Sequence, residues 1–414
     1  MKKAKRRIKI AVLTIESLII LAIIAFGIFY IWYKGLSQDE KTRFKKDMLA
    51  QATGCSVGRQ IIGCSTKNTY EDKVMDKNFD KDKVVINEGV QDKKEDEEKG
   101  SFTNIALFGI DSRGTEFESA THSDTIIIVS INNKTKEVKM MSVYRDTMLK
   151  VFDKDGNYSY TKANAGFFKG GAEGAISMLN ANLDLDITDY VVVNFSGLIK
   201  IIDALGGIDV NITEDERFYI NGYMTETKKI TGMYSPDVMS SGNVHLDGLQ
   251  ATACCRIRYV TYHDEEGNAY VGDLGRTARQ RFVLNQLFSK AKQAGTSEII
   301  NVVNSILNYN TSSERILMTS LTFDEIMDLV PTVLELNITG NAGFPVTLSC
   351  PTINGASYVV ANGLEYNVKK LHQFLFNDEN YEPTQTVKEI SDYIINYSGC
   401  ATKLTPEDES MAAD

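Results

Sequence analysis

The chain predicts an α/β fold, with a mixed central sheet, helices on both faces, and one transmembrane helix ahead of it. Three stretches carry that expectation. Ile8 to Tyr33 is almost wholly apolar, with Lys9 at its edge and Glu16 as its only charges, and about 20 apolar residues suffice to cross a bilayer as a helix. Between Phe102 and Asp146, short Ile/Val-rich runs (Ile105–Ile110, Thr125–Ile131, Val138–Tyr144) end in polar or charged residues, the pattern of buried strands. Tyr190–Phe195, Gly197–Leu205 and Ile208–Ile212 then read as strand, helix and strand, which argues for a parallel or mixed sheet with helices packed on it.

Taken in order, residues 1–7 form a basic tail, and the first nine residues carry Lys2, Lys3, Lys5, Arg6, Arg7 and Lys9 and no acid. Cations before an apolar span keep that end in the cytoplasm. No small-residue cleavage site follows Tyr33, so 8–33 is predicted to be an uncleaved signal anchor with the rest of the chain outside the cytoplasm. Residues 34–100 are rich in Lys, Asp, Glu, Gln, Asn and Gly, and such composition predicts a solvated stalk. The catalytic domain is predicted to span 101–380, and 381–414 to hold a last helix and an acidic tail. Within the domain, Ala172–Leu183 has helical periodicity, with Ser196 as the cap of the Gly197–Leu205 helix and Gly206-Gly207 as its stop. Residues 213–243 read as a polar loop, and 246–259 as a helix at first. Gly272 opens a long helix to about Gln293, with Asp273 as N-cap. Helices are expected over 297–334, short strands over 338–360, and helices again over Leu364–Phe376 and Thr384–Tyr397.

The net charge of −10 over 414 residues gives no basic footprint for nucleic acid. Four histidines without an H-x-x-H or H-E-x-x-H spacing argue against a zinc hydrolase. No Walker A run or G-x-S-x-G is present. Six cysteines (Cys55, Cys64, Cys254, Cys255, Cys350, Cys400) suit an exported chain. The adjacent Cys254 and Cys255 read as small apolar helix residues.

The chemistry concentrates in carboxylates and arginines at predicted strand and helix ends. Asp111 and Arg113 follow the first strand, Asp124 opens the second, and Arg145 follows the third. Strand ends are where open α/β sheets bind ligands. Two carboxylates suit Mg²⁺ (or Mn²⁺), which fills its shell with water and phosphate oxygens. Arg256 and Arg258 form an R-x-R, whose guanidinium groups share a face in a strand and splay in a helix. Arg276 and Gln280 are one helical turn apart, and Arg276, Arg279 and Arg281 crowd the start of the long helix. Positive charge there opposes the macrodipole by about 0.3–1 kcal/mol each, unless an anion binds at that end. The competing reading is a solvated basic helix end with salt bridges. Metal and arginines around a diphosphate are the parts of phosphoryl transfer.

These residues fall within ordered motifs: GIDSR at Gly109–Arg113, SDT at Ser123–Thr125, YRDT at Tyr144–Thr147 and KANAGFFKGG at Lys162–Gly171. DYVVVNFSGLIKIIDALGGIDV at Asp189–Val210, RIR at Arg256–Arg258 and GDLGRTARQR at Gly272–Arg281 continue the series. The set resembles the LytR–CpsA–Psr family over about 102–290, with continuation to about 380. The resemblance implies a membrane-anchored phosphotransferase that moves a glycopolymer from a polyprenyl-pyrophosphate carrier to peptidoglycan and leaves polyprenyl phosphate. It implies Asp111 and Asp124 as metal ligands, and Arg113, Arg145, Arg256, Arg258, Arg276 and Gln280 as pyrophosphate contacts. Asp273 matches a further site acid, and either Asp124 or Asp273 is the candidate base. The partners implied are the lipid-linked glycan, peptidoglycan, and the membrane through the N-terminal helix. Two departures stand out: Tyr144 where the family usually has Pro, and Cys254–Cys255, for which a disulfide with Cys350 or Cys400 is one expectation. A pyrophosphatase acting on the same carrier, or a non-catalytic lipid-phosphate-binding regulator, is the alternative function.

Overall fold

The Ile/Val-rich runs do become strands, and their near-continuous burial shows that both faces of the sheet are covered. In Thr125–Asn132 every residue is buried, although successive side chains point to opposite faces. The computed structural model describes residues 73–90, 102–111, 117, 121–264, 267–293, 309–310, 315–322 and 336–399. The expected anchor at 8–33, Arg113, and the tail from 400 lie outside these residues. Among the described residues, no helix is long and apolar enough to cross a membrane.

In chain order the elements are β1 (Phe102–Ile110), β2 (Ser123–Asn132), β3 (Glu137–Val143), β4 (Met148–Phe152), β5 (Tyr158–Lys162) and α1 (Ala165–Leu183). β6 (Asp189–Asn194), α2 (Phe195–Ala204), β7 (Ile208–Ile212), α3 (Glu214–Thr231), β8 (Gly242–Leu246) and α4 (Gly248–Cys254) follow. Next come β9 (Tyr262–His263), β10 (Ala269–Tyr270), α5 (Gly272–Gln293), β11 (Leu317–Thr319) and β12 (Asn337–Phe344). Four two-residue strands precede α6 (Leu364–Phe376) and α7 (Gln385–Ser398).

The chain divides into two compact units and passes between them several times, one boundary falling inside β6. The first holds described residues within Asn78–Asp111, Glu118–Val191 and Leu336–Asp414. Its strands order β6-β1-β2-β3-β12. β1, β2 and β3 are an antiparallel meander, whereas β12 lies parallel to β3, so the sheet is mixed. α6 packs on β2 and β3, and α1 on β2 and on β4 of the β4–β5 hairpin. The second unit holds described residues within Met1–Lys77, Ser112–Phe117 and Val192–Glu335. There α4 packs on α2 and α3, and β7 pairs antiparallel with β8.

Several expectations need correction. Residues 213–243 are not mainly loop, since α3 occupies eighteen of them. Thr213 and Glu216 form a reciprocal capping box at its start, while only Ile220, Met224 and Thr227 are buried. Ser196 does not cap α2; the helix begins two residues earlier, because the Asn194 side chain accepts the Gly197 N–H at 2.9 Å. Within 297–334, the described residues 317–319 are strand β11 rather than helix.

Residues 78–90 of the expected stalk lie against the first unit. The Val85 N–H donates to Ser177 Oγ at 3.0 Å, and buried Asn87 donates to Asp184 at 2.7 Å. The last helix also belongs to that unit. Thr384, the N-cap of α7, donates through N–H and Oγ1 to Asp184 at 2.7 and 2.6 Å, and α7 packs on α1 and α6.

Candidate functional site

Antiparallel pairing brings the end of β1, the start of β2 and the end of β3 to one end of the sheet. Asp111, Asp124 and Arg145 therefore lie together there, all half-buried. The β1–β2 register sharpens the placement. Gly109 pairs with Thr125 and Ile110 with Ser123, leaving Asp124 as the extra residue of a bulge, a device that re-aims a side chain. Gly109 is required by close approach, because a Cβ there would sit 2.9 Å from Thr125 Cβ.

Arg145 Nη1 donates to Asp124 Oδ1 at 2.7 Å. On its other side Arg145 Nε stands 3.8 Å from Asp146, and Lys162 Nζ reaches Asp146 at 2.7 Å. Asp146 and Lys162 thus extend the charged array, although neither is among the site residues the sequence suggests. Both lie inside the quoted motifs, which was the available signal. Tyr144, in place of the family's Pro, is buried with its phenol over Gly343 of β12, where any Cβ would overlap it. Its backbone N–H donates to the Phe344 carbonyl at 3.0 Å, so the approach to Arg145 is fixed by the neighbouring strand.

The second unit carries the other charged residues. α4 stops at Cys254, and Arg256 follows it in a turn. The R-x-R is thus neither helix nor strand, yet buried Ile257 points inward and leaves Arg256 and Arg258 half-buried on either side. Arg256 donates to Thr227 Oγ1 and Glu226 Oε2, both at 2.9 Å. Its guanidinium lies 4.9 Å from the Phe195 ring centroid and 5.3 Å from that of Tyr223, within cation–π range.

Asp273 sits in the first turn of α5 rather than at its N-cap. Its carboxylate faces Arg258 Nε at 3.4 Å and Arg276 Nη2 at 3.0 Å. Arg276 is buried, as is Gln280, which donates to the Cys255 carbonyl at 3.5 Å. The solvated basic helix end does not form, because Arg276, Arg279 and Arg281 are all buried. Arg279 pairs with Glu216 at 2.9 Å, and Arg281 lies 5.6 Å from the Tyr270 ring centroid. Glu216 escaped the sequence reading together with α3, though the Thr213-x-x-Glu216 box was visible.

Cys254 and Cys255 are buried free thiols and Cys350 an exposed one, so no disulfide joins them. Burial pushes the Cys254 thiol up to about 12 and raises Cys255 as well.

Asp111 and Asp124 are suited to a hard divalent ion by donor chemistry, being two carboxylates at one strand end. Among the described residues, no group of three or more His, Cys, Asp or Glu is arranged to hold a metal.

The first unit is thus a mixed sheet with carboxylates and an arginine at its strand ends, and the second unit bears further arginines beside a helix start. The LytR_cpsA_psr family model matches residues 64–373, and the chain belongs to that family. Its match begins well before residue 101, in keeping with the packing of residues 78–90. The chain is 32% identical over 191 residues to a polyisoprenyl-teichoic acid–peptidoglycan teichoic acid transferase, TagV, of Bacillus subtilis, covering 46% of this chain and 44% of that protein. It is 30% identical over 231 residues to TagU of Bacillus mycoides, which carries the same transferase description, covering 56% and 64%. It therefore spans less than two thirds of these relatives. A solved Streptococcus agalactiae protein shares the fold, with a TM-score of 0.53 and 22% identity over 79% of this chain and 98% of that one. A solved Enterococcus faecalis protein described as a transcriptional regulator gives 0.51 and 24%, over 77% and 99%.

Proposed function

We propose that the chain is a membrane-anchored phosphotransferase. It moves a glycopolymer from a polyprenyl-pyrophosphate carrier to peptidoglycan and releases polyprenyl phosphate. The observation that carries this reading is the convergence of Arg258 and Arg276 on one carboxylate, Asp273, with Arg256 close by in sequence. Guanidinium forks aimed at one oxyanion are the usual means of gripping a diphosphate. The family membership and the transferase descriptions of TagV and TagU support it.

In this reading an acceptor sugar hydroxyl attacks the phosphorus bonded to the glycan. The P–O bond to polyprenyl phosphate breaks, and that phosphate leaves with the bonding electrons. The hydroxyl proton passes to a carboxylate, Asp124 or Asp273. Arg113, Arg145, Arg256, Arg258, Arg276 and Gln280 hold the diphosphate and offset the charge that develops on it. Asp111 and Asp124 would hold Mg²⁺ or Mn²⁺, which supplies charge neutralisation at phosphate oxygens when bound. The segment 8–33 anchors the chain and sets the enzyme on the outer side of the membrane.

The test incubates full-length protein in detergent with a lipid-linked glycan, Mg²⁺ and peptidoglycan fragments. Glycan joined to peptidoglycan, with polyprenyl phosphate released only when acceptor is present, is the expected result. Release without acceptor would make the protein a pyrophosphatase, and binding without turnover a regulator.

A further inference from the structure

Among the described residues of the second unit, Arg279 is the most deeply buried charge, with 1% of its side chain exposed. A guanidinium tolerates such burial only when its donors are matched. Its Nε and Nη2 donate to Glu216 Oε1 at 3.1 and 2.9 Å. Nη2 also donates to the Val260 carbonyl at 2.9 Å, and Nη1 to the Ile257 carbonyl at 3.4 Å. The Tyr262 ring centroid lies 5.3 Å from its Cζ.

The two carbonyls bracket one residue of interest. Ile257 directly precedes Arg258, and Val260 lies two residues beyond it, in a stretch that is neither helix nor strand. Glu216 is itself fixed, because its second oxygen accepts the Thr213 N–H at 2.9 Å and the Thr213 hydroxyl at 3.2 Å. A single carboxylate therefore starts α3 and anchors Arg279. Arg256 is held independently, by Thr227, Glu226, Phe195 and Tyr223.

We propose that Arg279, braced by Glu216, is a positioning residue that fixes the Ile257–Val260 backbone and so aims Arg258 at the diphosphate. The proposal rests on the reading of Arg258 as a diphosphate contact. Lysine keeps the charge but cannot reach the Glu216 oxygen and both carbonyls at once. Arg258 therefore loses its fixed direction in Arg279→Lys while Arg256 keeps its own.

The experiment is a double-mutant cycle on the full chain in detergent, titrated with farnesyl pyrophosphate well below the unfolding temperature of every variant. Arg279→Lys is expected to weaken affinity about tenfold in the unaltered chain and in the Arg256→Ala background. In the Arg258→Ala background it is expected to change nothing, because the residue through which it acts is gone. A merely structural role would lower the unfolding temperature and leave affinity the same, or lower affinity equally in every background. Either result overturns the positioning role. Undiminished affinity in Arg258→Ala alone would instead sink the functional reading on which the proposal rests. If Arg279→Lys does not fold, Glu216→Gln replaces it, with a smaller loss expected and the same dependence on Arg258.

Discussion

The two charged groups are built by different means. At the sheet end, Asp111, Asp124 and Arg145 are placed by strand register, and the Arg145–Asp124 pair is partly exposed. In the second unit, Arg256 and Arg258 sit in irregular chain after a short helix, held by side chains from α3 and α5. A sheet end is rigid because ladder hydrogen bonds fix it, so its functional side chains need little bracing. A loop needs bracing from outside, and here a buried ion pair supplies it. The same kind of residue is thus cheap to position in one unit and dependent on a network in the other.

On the proposed function, the largest effects should come from removing Asp111, the proposed metal ligand in the first unit, or Arg258, the proposed diphosphate contact in the second. Asp111→Ala and Arg258→Ala are each expected to lower metal-dependent transfer from a lipid-linked donor by at least about 10²–10³-fold, with unfolding transitions unchanged. Equal losses would show that both groups serve one reaction. Undiminished transfer in either purified variant would remove that group from the mechanism.

Stability should separate the groups more sharply than activity. Glu216→Ala leaves Arg279 buried without its counter-charge, and is expected to reduce unfolding free energy by about 3–5 kcal/mol in urea titration. Asp124→Ala removes a pair whose side chains are 31% and 19% exposed, with an expected loss of about 1 kcal/mol or less. Similar losses in the two variants would break the contrast drawn here.

The same contrast explains what could be read from sequence. β1, β2 and β3 were legible because a buried meander demands short runs dominated by apolar residues, as in Thr125–Asn132. Asp111, Asp124 and Arg145 came with them, since a strand's end is as visible as the strand. α3 was not legible by periodicity, because a helix burying only Ile220, Met224 and Thr227 has no apolar stripe to detect. Its capping box was the readable mark. Nothing local could show that Arg279 would be buried, since its partner Glu216 lies 63 residues earlier. A sequence reading sees charges and assigns them to solvent, and only the fold shows which of them has lost it.

A smaller effect tests the start of α2, where β6 runs directly into it. Asn194 accepts the Gly197 N–H and donates to the Arg315 carbonyl at 3.1 Å. Asn194→Ala is expected to lower unfolding free energy by about 1–2 kcal/mol. Ser196→Ala, at the position the sequence suggested as cap, is expected to stay within about 0.5 kcal/mol.

The smallest effect is chemical rather than energetic, and contrasts a thiol in each unit. Burial, the leading cause, raises Cys254 to about 12 and lifts Cys255 in the same direction, whereas Cys350 of the first unit is exposed. Only the thiolate is a strong nucleophile. A raised value keeps Cys254 and Cys255 protonated through pH 8–9, and their burial also bars the reagent. In native protein at pH 8, iodoacetamide is expected to modify Cys350 within minutes and to leave Cys254 and Cys255 unlabelled by peptide mass mapping. Labelling of both should appear only when denaturant opens the second unit. Rapid native labelling of Cys254 or Cys255 would mean that the helix beneath the Arg256–Arg258 segment opens readily, and that this segment is less firmly braced than the Arg279–Glu216 pair implies.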